Sequence, residues 1–273
     1  MENAPAAIIG EAKGLLQLGK NREARDLLLQ EGYVNRLVPE IQNAFLELFA
    51  PSQELLNEEQ TTFRKLVSQQ PKIRFEAARY LCRQAHNEIN IKREAWLKDP
   101  RTVDVLLAAA RDDEPKTLAE IALALAALAG RYYQDLRMYP VLQELIRHSA
   151  REVQWGALRG VCEFYQCPDQ WDVLIPFLVS RSPAKFKGTI AHAIYTGPRE
   201  LRPFNHALLR KALLSALVKE RVPETKLGLI RALGCVGDGD SGLELKQYLK
   251  ETTDSEIRKR IKEALKDIQE RIE

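Results

Sequence analysis

An apolar triplet returns along this chain with the same internal spacing: Ile73, Ala77 and Tyr80; Leu118, Ala122 and Leu125; Val153, Ala157 and Gly160; Phe186, Ile190 and Ala193; Thr225, Leu229 and Ala232; Ile257, Ile261 and Ala264. Positions i, i+4 and i+7 share one face of an α-helix, so each triplet marks a helix with a buried stripe. The triplets recur at roughly 32 to 45 residues, a period that holds one helical hairpin. A single hairpin cannot cover its own apolar face, and must lean on its neighbours in a stack. Small residues fill many of the positions, as close approach of neighbouring helices requires.

The helices that open the hairpins are equally visible. Apolar stripes run over Thr102 to Arg111, Tyr139 to His148, Gln170 to Ser180, Phe204 to Lys219 and Ser241 to Lys250. Between partners stand the breakers Asp112-Asp113-Glu114-Pro115, Ser182-Pro183 and Val222-Pro223. At the end, Thr253-Asp254-Ser255-Glu256 offers an Asp or Ser cap for a helix over Glu256 to Ile272, whose charged outer face suits the end of a stack. No run alternates between apolar and polar residues as a strand would. The expected fold is all-α, a curved right-handed α-solenoid of about six or seven antiparallel helix pairs.

Composition removes several functions. Hydrophobic residues at 45% and charged residues at 29% support a packed core. The 41 basic and 38 acidic side chains leave a net charge of +3, too small for a global field toward nucleic acid or an anionic membrane. The longest apolar run, Ile121 to Ala129, falls far short of the roughly 20 residues that span a bilayer. Glu2, Glu11 and Lys13 interrupt any secretory leader, which points to the cytoplasm. Cys82, Cys162, Cys167 and Cys235 are scattered and form no CxxC pair, so they read as reduced, packed thiols with no metal.

The sequence Asp99-Pro100-Arg101-Thr102-Val103-Asp104-Val105-Leu106-Leu107 and the stretches 153–161 and 232–265 resemble HEAT repeats of the short bacterial type. There, Asp-Pro-x-x-Val-x-x-Leu opens one helix and Val-Arg-x-x-Ala-x-x-Ala-Leu the next. The resemblance covers about residues 70 to 273 and implies a HEAT-like or armadillo-like superhelix. It implies adaptors, transport receptors, enzyme-associated subunits or a few DNA-repair enzymes rather than one activity. Over Leu15 to Leu28 the chain is similar to the turn of a tetratricopeptide hairpin, with Gly19 at the bend and Ala24 as the small packing residue. Residues 1 to 70 are read as divergent hairpins continuous with the solenoid, and 71 to 273 as the repeats with a charged C-terminal capping helix.

No glycine-rich phosphate loop, HExxH or Gly-x-Ser-x-Gly occurs, so no catalytic residue and no cofactor are expected. Asp238-Gly239-Asp240-Ser241-Gly242 lacks the later ligands of an EF-hand and reads as a repeat turn, with Asp240 or Ser241 capping a helix. The leading enzymatic alternative is a DNA glycosylase, since one alkylpurine glycosylase family is built from HEAT-like repeats. That likeness implies exposed tryptophans with a carboxylate one helical turn away. Trp96 has Asp99, but near a helix end before Pro100; Trp155 has Arg159 where an acid is wanted. Packing is the expected task of Trp96, Trp155 and Trp171.

Two rows flank the apolar columns. One residue after the first column come Arg74, Ala119, Gln154, Lys187, Lys226 and Arg258, where the HEAT resemblance implies an arginine bracing the preceding turn. Six residues after it come Arg79, Ala124, Arg159, His192, Arg231 and Glu263, for which no such duty is expected. Arg79, Arg159, His192 and Arg231 are the expected partner-binding residues, on a concave side and suited to acidic groups. Ala124 and Glu263 bound the row, which favours a protein epitope over a nucleic-acid track. Tyr132 and Tyr133 at a helix end are secondary candidates, as are Arg199 and Arg202 in the Pro-flanked connection from Thr196 to Pro203. The expected function is a non-catalytic module that binds an acidic protein segment as an adaptor, assembly factor or toxin-neutralising immunity protein. Nucleic-acid binding is the alternative, and no membrane partner is expected.

Overall fold

A computed structural model describes residues 4–20, 23–24, 27, 61–86, 100–131, 135–179 and 181–272. Among them the regular structure is helical throughout, with no strand. The chain divides into two compact units, Met1–Gly160 and Val161–Glu273.

In the first unit, α1 (Ala4–Gln17) ends in a backbone turn that makes glycine the natural choice. Gly19 has φ of 73°, its N–H bonds the Leu16 carbonyl, and the Lys20 N–H bonds the Leu15 carbonyl. This left-handed stop closes two orphan carbonyls. Beyond it, Ala24 is fully buried with Ala12, against Ile8, Ile9, Leu15, Leu16 and Leu27.

The same unit contains α2 (Pro71–His86), α3 (Pro100–Ala109), α4 (Pro115–Arg131), α5 (Met138–Leu145) and α6 (Arg151–Val161). Prolines at the first positions of α2 and α4 sit where the missing N–H costs nothing. The second-helix layer is built by α2 against α4, while α3 packs on both α4 and α5. The columns read from the sequence form its core: Ala77, Leu118, Ala122, Leu125, Val153 and Ala157 are all buried. Gly156 of α6 lies so near α4 that a Cβ on it would stand 2.9 Å from Ala122 Cβ and 3.1 Å from the Ala119 carbonyl oxygen.

The second unit shows two layers clearly. Helices α7 (Gln170–Val179), α9 (Ala207–Lys219) and α11 (Gly239–Glu251) form one, with α7 on α9 and α9 on α11. Helices α8 (Ala184–Thr196), α10 (Pro223–Val236) and α12 (Ser255–Ile272) form the other, with α8 on α10 and α10 on α12. The contacts α7·α8, α9·α10 and α11·α12 close the three hairpins. Phe186, Ile190, Leu229, Ala232, Ile257, Ile261 and Ala264 fill the seam of the second layer.

Two caps refine the sequence reading. The turn at 238–242 is capped by Asp238 rather than by Asp240 or Ser241: its Oδ1 accepts the Ser241 N–H at 2.9 Å and the Ser241 hydroxyl at 2.8 Å. Gly239 and Asp240 already lie inside α11, so the residue able to reach the free N–H groups is the one before them. Asp254 caps α12 by accepting the N–H groups of Glu256 and Ile257.

Candidate protein-binding face

The two flanking rows turn out to have different partners. In the first row Arg74 is fully engaged. Its Nε bonds Asp112 Oδ2 at 2.5 Å, Nη2 bonds Asp113 at 2.9 Å, and Nη1 donates to the Ser68 carbonyl at 3.0 Å. The guanidinium thus ties the turn before α2 to the turn before α4. Lys187 bonds Glu220 at 2.8 Å, with both side chains nearly out of water. Arg258 donates to the carbonyls of Leu249 and Thr252, and Lys226 lies 5.9 Å from the Tyr248 ring centroid. Arg74, Lys187 and Arg258 thus brace turns and helix ends, and Lys226 rests on a ring.

Burial alone would raise the Glu220 carboxyl, but Lys187 and the N–H groups of Val222 and Arg221 outweigh it and hold the group below the ordinary range. Asp112 is held low in the same way, burial being overcome by Arg74 and by the Glu114 N–H.

The second row has aromatic neighbours instead. In the first unit, the exposed Arg79 guanidinium lies 5.9 Å from the Phe75 ring, and half-buried Arg159 lies 5.3 Å from the Trp155 ring. Each pair is spaced i,i+4 on one helix, which places the cation over its ring. Ala124, the member between them, is buried. Cys82 lies within reach of the Arg159 charge, yet burial and the Glu120 carboxylate push its thiol up to about 12, so it stays neutral. All four cysteines are free thiols.

In the second unit, exposed His192 and Arg231 meet at Tyr195. The Nδ1 of His192 is 2.8 Å from the Tyr195 hydroxyl, its ring stands edge-on at 5.0 Å, and the Arg231 guanidinium lies 5.7 Å from the Tyr195 centroid. Glu263 is occupied by Arg260. Among the described residues, Arg79, Arg159 and Arg231 enter no ion pair, whereas Arg74, Arg137, Arg210 and Arg260 each do.

The connection after α8 makes a 3-10 turn, Arg199–Leu201. Arg199 is exposed; Arg202 turns back to donate Nη2 to the Tyr195 carbonyl at 3.0 Å, and its Nε is buried without a hydrogen bond. Leaving such a donor unmet costs about 1–3 kcal/mol. Tyr132, Tyr133, Trp96 and Asp99 lie outside the described residues. Trp171 is buried, its ring 6.5 Å from that of Tyr165, whose hydroxyl donates to the Ala193 carbonyl. Phe75 in the first unit and Tyr195 in the second are aromatic supports that the sequence rows do not contain. The i,i+4 spacing of Phe75 and Arg79 could have signalled the first; nothing local announces the second, since its cation comes from another hairpin.

Among the described residues no group of three metal-ligating side chains converges, and no helix is long and apolar enough to cross a membrane.

No protein-family model matches the chain, and neither does any curated protein. Solved structures do. An engineered protein aligns with a TM-score of 0.61 at 22% identity, covering 78% of this chain and 97% of its own. A designed armadillo repeat protein in complex with the peptide (KR)4 aligns with a TM-score of 0.56 at 17% identity, covering 76% of this chain and 98% of its own. The fold is that of an α-solenoid repeat protein. A designed armadillo protein computed for modular peptide recognition aligns equally well, with a TM-score of 0.57 at 15% identity over 76% of this chain.

Proposed function

We propose that this α-solenoid is a non-catalytic, cytoplasmic protein-interaction module of HEAT-like lineage, in which residues 1 to 70 continue the repeat as divergent hairpins. Each unit offers its own basic anchors to an acidic segment of a partner: Arg79 and Arg159 in the first, His192 and Arg231 in the second. One observation carries the reading. In the bracing row Arg74, Lys187 and Arg258 are spent on carboxylates and carbonyls and Lys226 alone rests on a ring, while all three arginines of the other row are held on aromatic rings with no carboxylate attached. A guanidinium laid over a ring is ordered before a partner arrives, so less side-chain entropy opposes binding. The peptide bound by one designed structural neighbour alternates Lys and Arg; the face here would take the opposite sign. Adaptor, assembly factor and toxin-neutralising immunity protein are the roles such a surface serves.

The test is affinity capture from source-cell lysate with the wild-type chain and an Arg79→Ala/Arg159→Ala/Arg231→Ala variant, each with and without nuclease, read by mass spectrometry. A stoichiometric protein held by wild type and lost with the variant is the expected result. Each arginine should contribute about 1.5–3 kcal/mol to that complex, roughly tenfold or more in affinity, with no change in melting temperature. Capture of nuclease-sensitive material instead would replace the protein reading with nucleic-acid binding, and a base-release assay would then decide on glycosylase activity.

A further inference from the structure

Tyr195 gathers two arginines and a histidine around one helix end. Arg231 lies over its ring, His192 bonds its hydroxyl, and Arg202 bonds its carbonyl. Pro198 and Pro203 bracket the turn that carries Arg199 and Arg202, fixing backbone torsions on both sides. Nearby, Arg271 donates to the carbonyls of Gly234 and Cys235, and its guanidinium lies 5.4 Å from the Phe204 ring. Burial lowers its pKa, against Cys235 and Asp267, and the charges of Arg202 and Arg199 lower it further, so both arginines of the turn stand within electrostatic reach of Arg271.

Arg271 is committed to the C-terminal end of α10. Arg199, Arg202 and Arg231 are not comparably matched: among the described residues none of them forms an ion pair. The acid that acts on Arg271 from this end of the unit is Asp267. Elsewhere in the same unit the shielded cations Lys187 and Arg210 each have a carboxylate, Glu220 and Asp238. Even with Glu200 in the same turn, the cluster therefore holds surplus positive charge, a shielded Arg202 Nε without an acceptor, and an exposed Arg199 whose side chain forms no hydrogen bond among the described residues.

We infer that Arg199, Arg202 and Arg231 form an oxyanion subsite at the C-terminal end of α8, walled by the Tyr195 ring, which takes one carboxylate or phosphate group. Arg231 and Arg199 supply charge from the solvent side, and the Arg202 fork supplies a directional donor. The inference rests on the interaction reading above in sharing Arg231 with it, and extends it by assigning the turn after α8 to the binding surface.

The test is a titration of the whole isotope-labelled chain with inorganic phosphate and, separately, with a hexaglutamate peptide, followed by the amide resonances of Gly197 and of residues 199–202. Wild type is compared with Arg199→Gln, Arg202→Lys, Arg79→Ala and the exposed control Lys211→Gln, and each variant's melting temperature is checked against wild type. Saturable shifts for both probes, weakened about fivefold or more by Arg199→Gln and Arg202→Lys but not by Lys211→Gln, are expected. No saturable shift with either probe, or equal weakening by Lys211→Gln, overturns the subsite. Hexaglutamate binding that falls in Arg79→Ala but not in Arg199→Gln or Arg202→Lys also overturns it while keeping the acidic-segment reading. Phosphate binding that depends on Arg199, with no hexaglutamate binding, keeps the subsite and removes that reading.

Discussion

Glycines that look alike in the sequence differ by what faces them. At Gly156 an added methyl meets backbone as well as side chain: the Ala119 oxygen at 3.1 Å and the Leu123 nitrogen at 3.2 Å. At Gly228 the nearest atom is Ala191 Cβ at 3.6 Å, an ordinary contact. Both lie in helices, where alanine is favoured over glycine by about 0.5–1 kcal/mol. Gly228→Ala should therefore stabilise by about 0.4–1 kcal/mol. Gly156→Ala should destabilise by about 1–3 kcal/mol, because the neighbouring helix must move bodily. Urea denaturation of the two variants checks the opposite signs. That both positions are helical was legible from the repeat; which one touches a backbone was not, since the sequence fixes the column but not the separation between helices.

For a helix, the decisive residues are often those just outside it. Asp238 satisfies the Ser241 N–H and also pairs with Arg210 at 2.8 Å, joining the start of α11 to α9. Replacing it with alanine should cost about 1–2 kcal/mol, whereas Asp240→Ala should be nearly neutral; thermal unfolding of the two proteins separates the cap from its neighbour. The sequence placed the turn correctly but assigned the cap two or three residues late, because Asp238, Asp240 and Ser241 are all good capping types. Only the backbone path selects among them. The helices themselves were readable to within a few residues, from α7 at Gln170–Val179 to α12 at Ser255–Ile272, since a 3.6-residue period survives without knowledge of any neighbour. The arginine row was readable for the same reason. Its aromatic supports were readable only within one helix, as with Phe75 and Arg79; the meeting of Tyr195 with Arg231 depends on how α8 lies against α10.

At the scale of the whole molecule, these ties make stability depend on pH. Glu220, whose ordinary pKa is 4.5, is held lower in the folded chain. A carboxyl with a depressed folded pKa contributes stability that is complete above its unfolded value and is lost as pH falls through the folded one. Asp112 and Asp238 are depressed likewise. Denaturant midpoints should therefore drop as pH falls below about 4.5, and Glu220→Gln should start lower at neutral pH and fall less steeply. A midpoint profile parallel to wild type would contradict that assignment. The Arg74 tie has a mechanical consequence as well. Its fork is anchored at the start of α2 by the Ser68 carbonyl and reaches across to Asp112 and Asp113, so sliding α2 along α4 by one helical turn, about 5.4 Å, would pull both carboxylate bonds apart. Apolar stripes of small residues could settle in more than one offset; the arginine leaves this seam a single register, and makes shear between the two helices an all-or-none event.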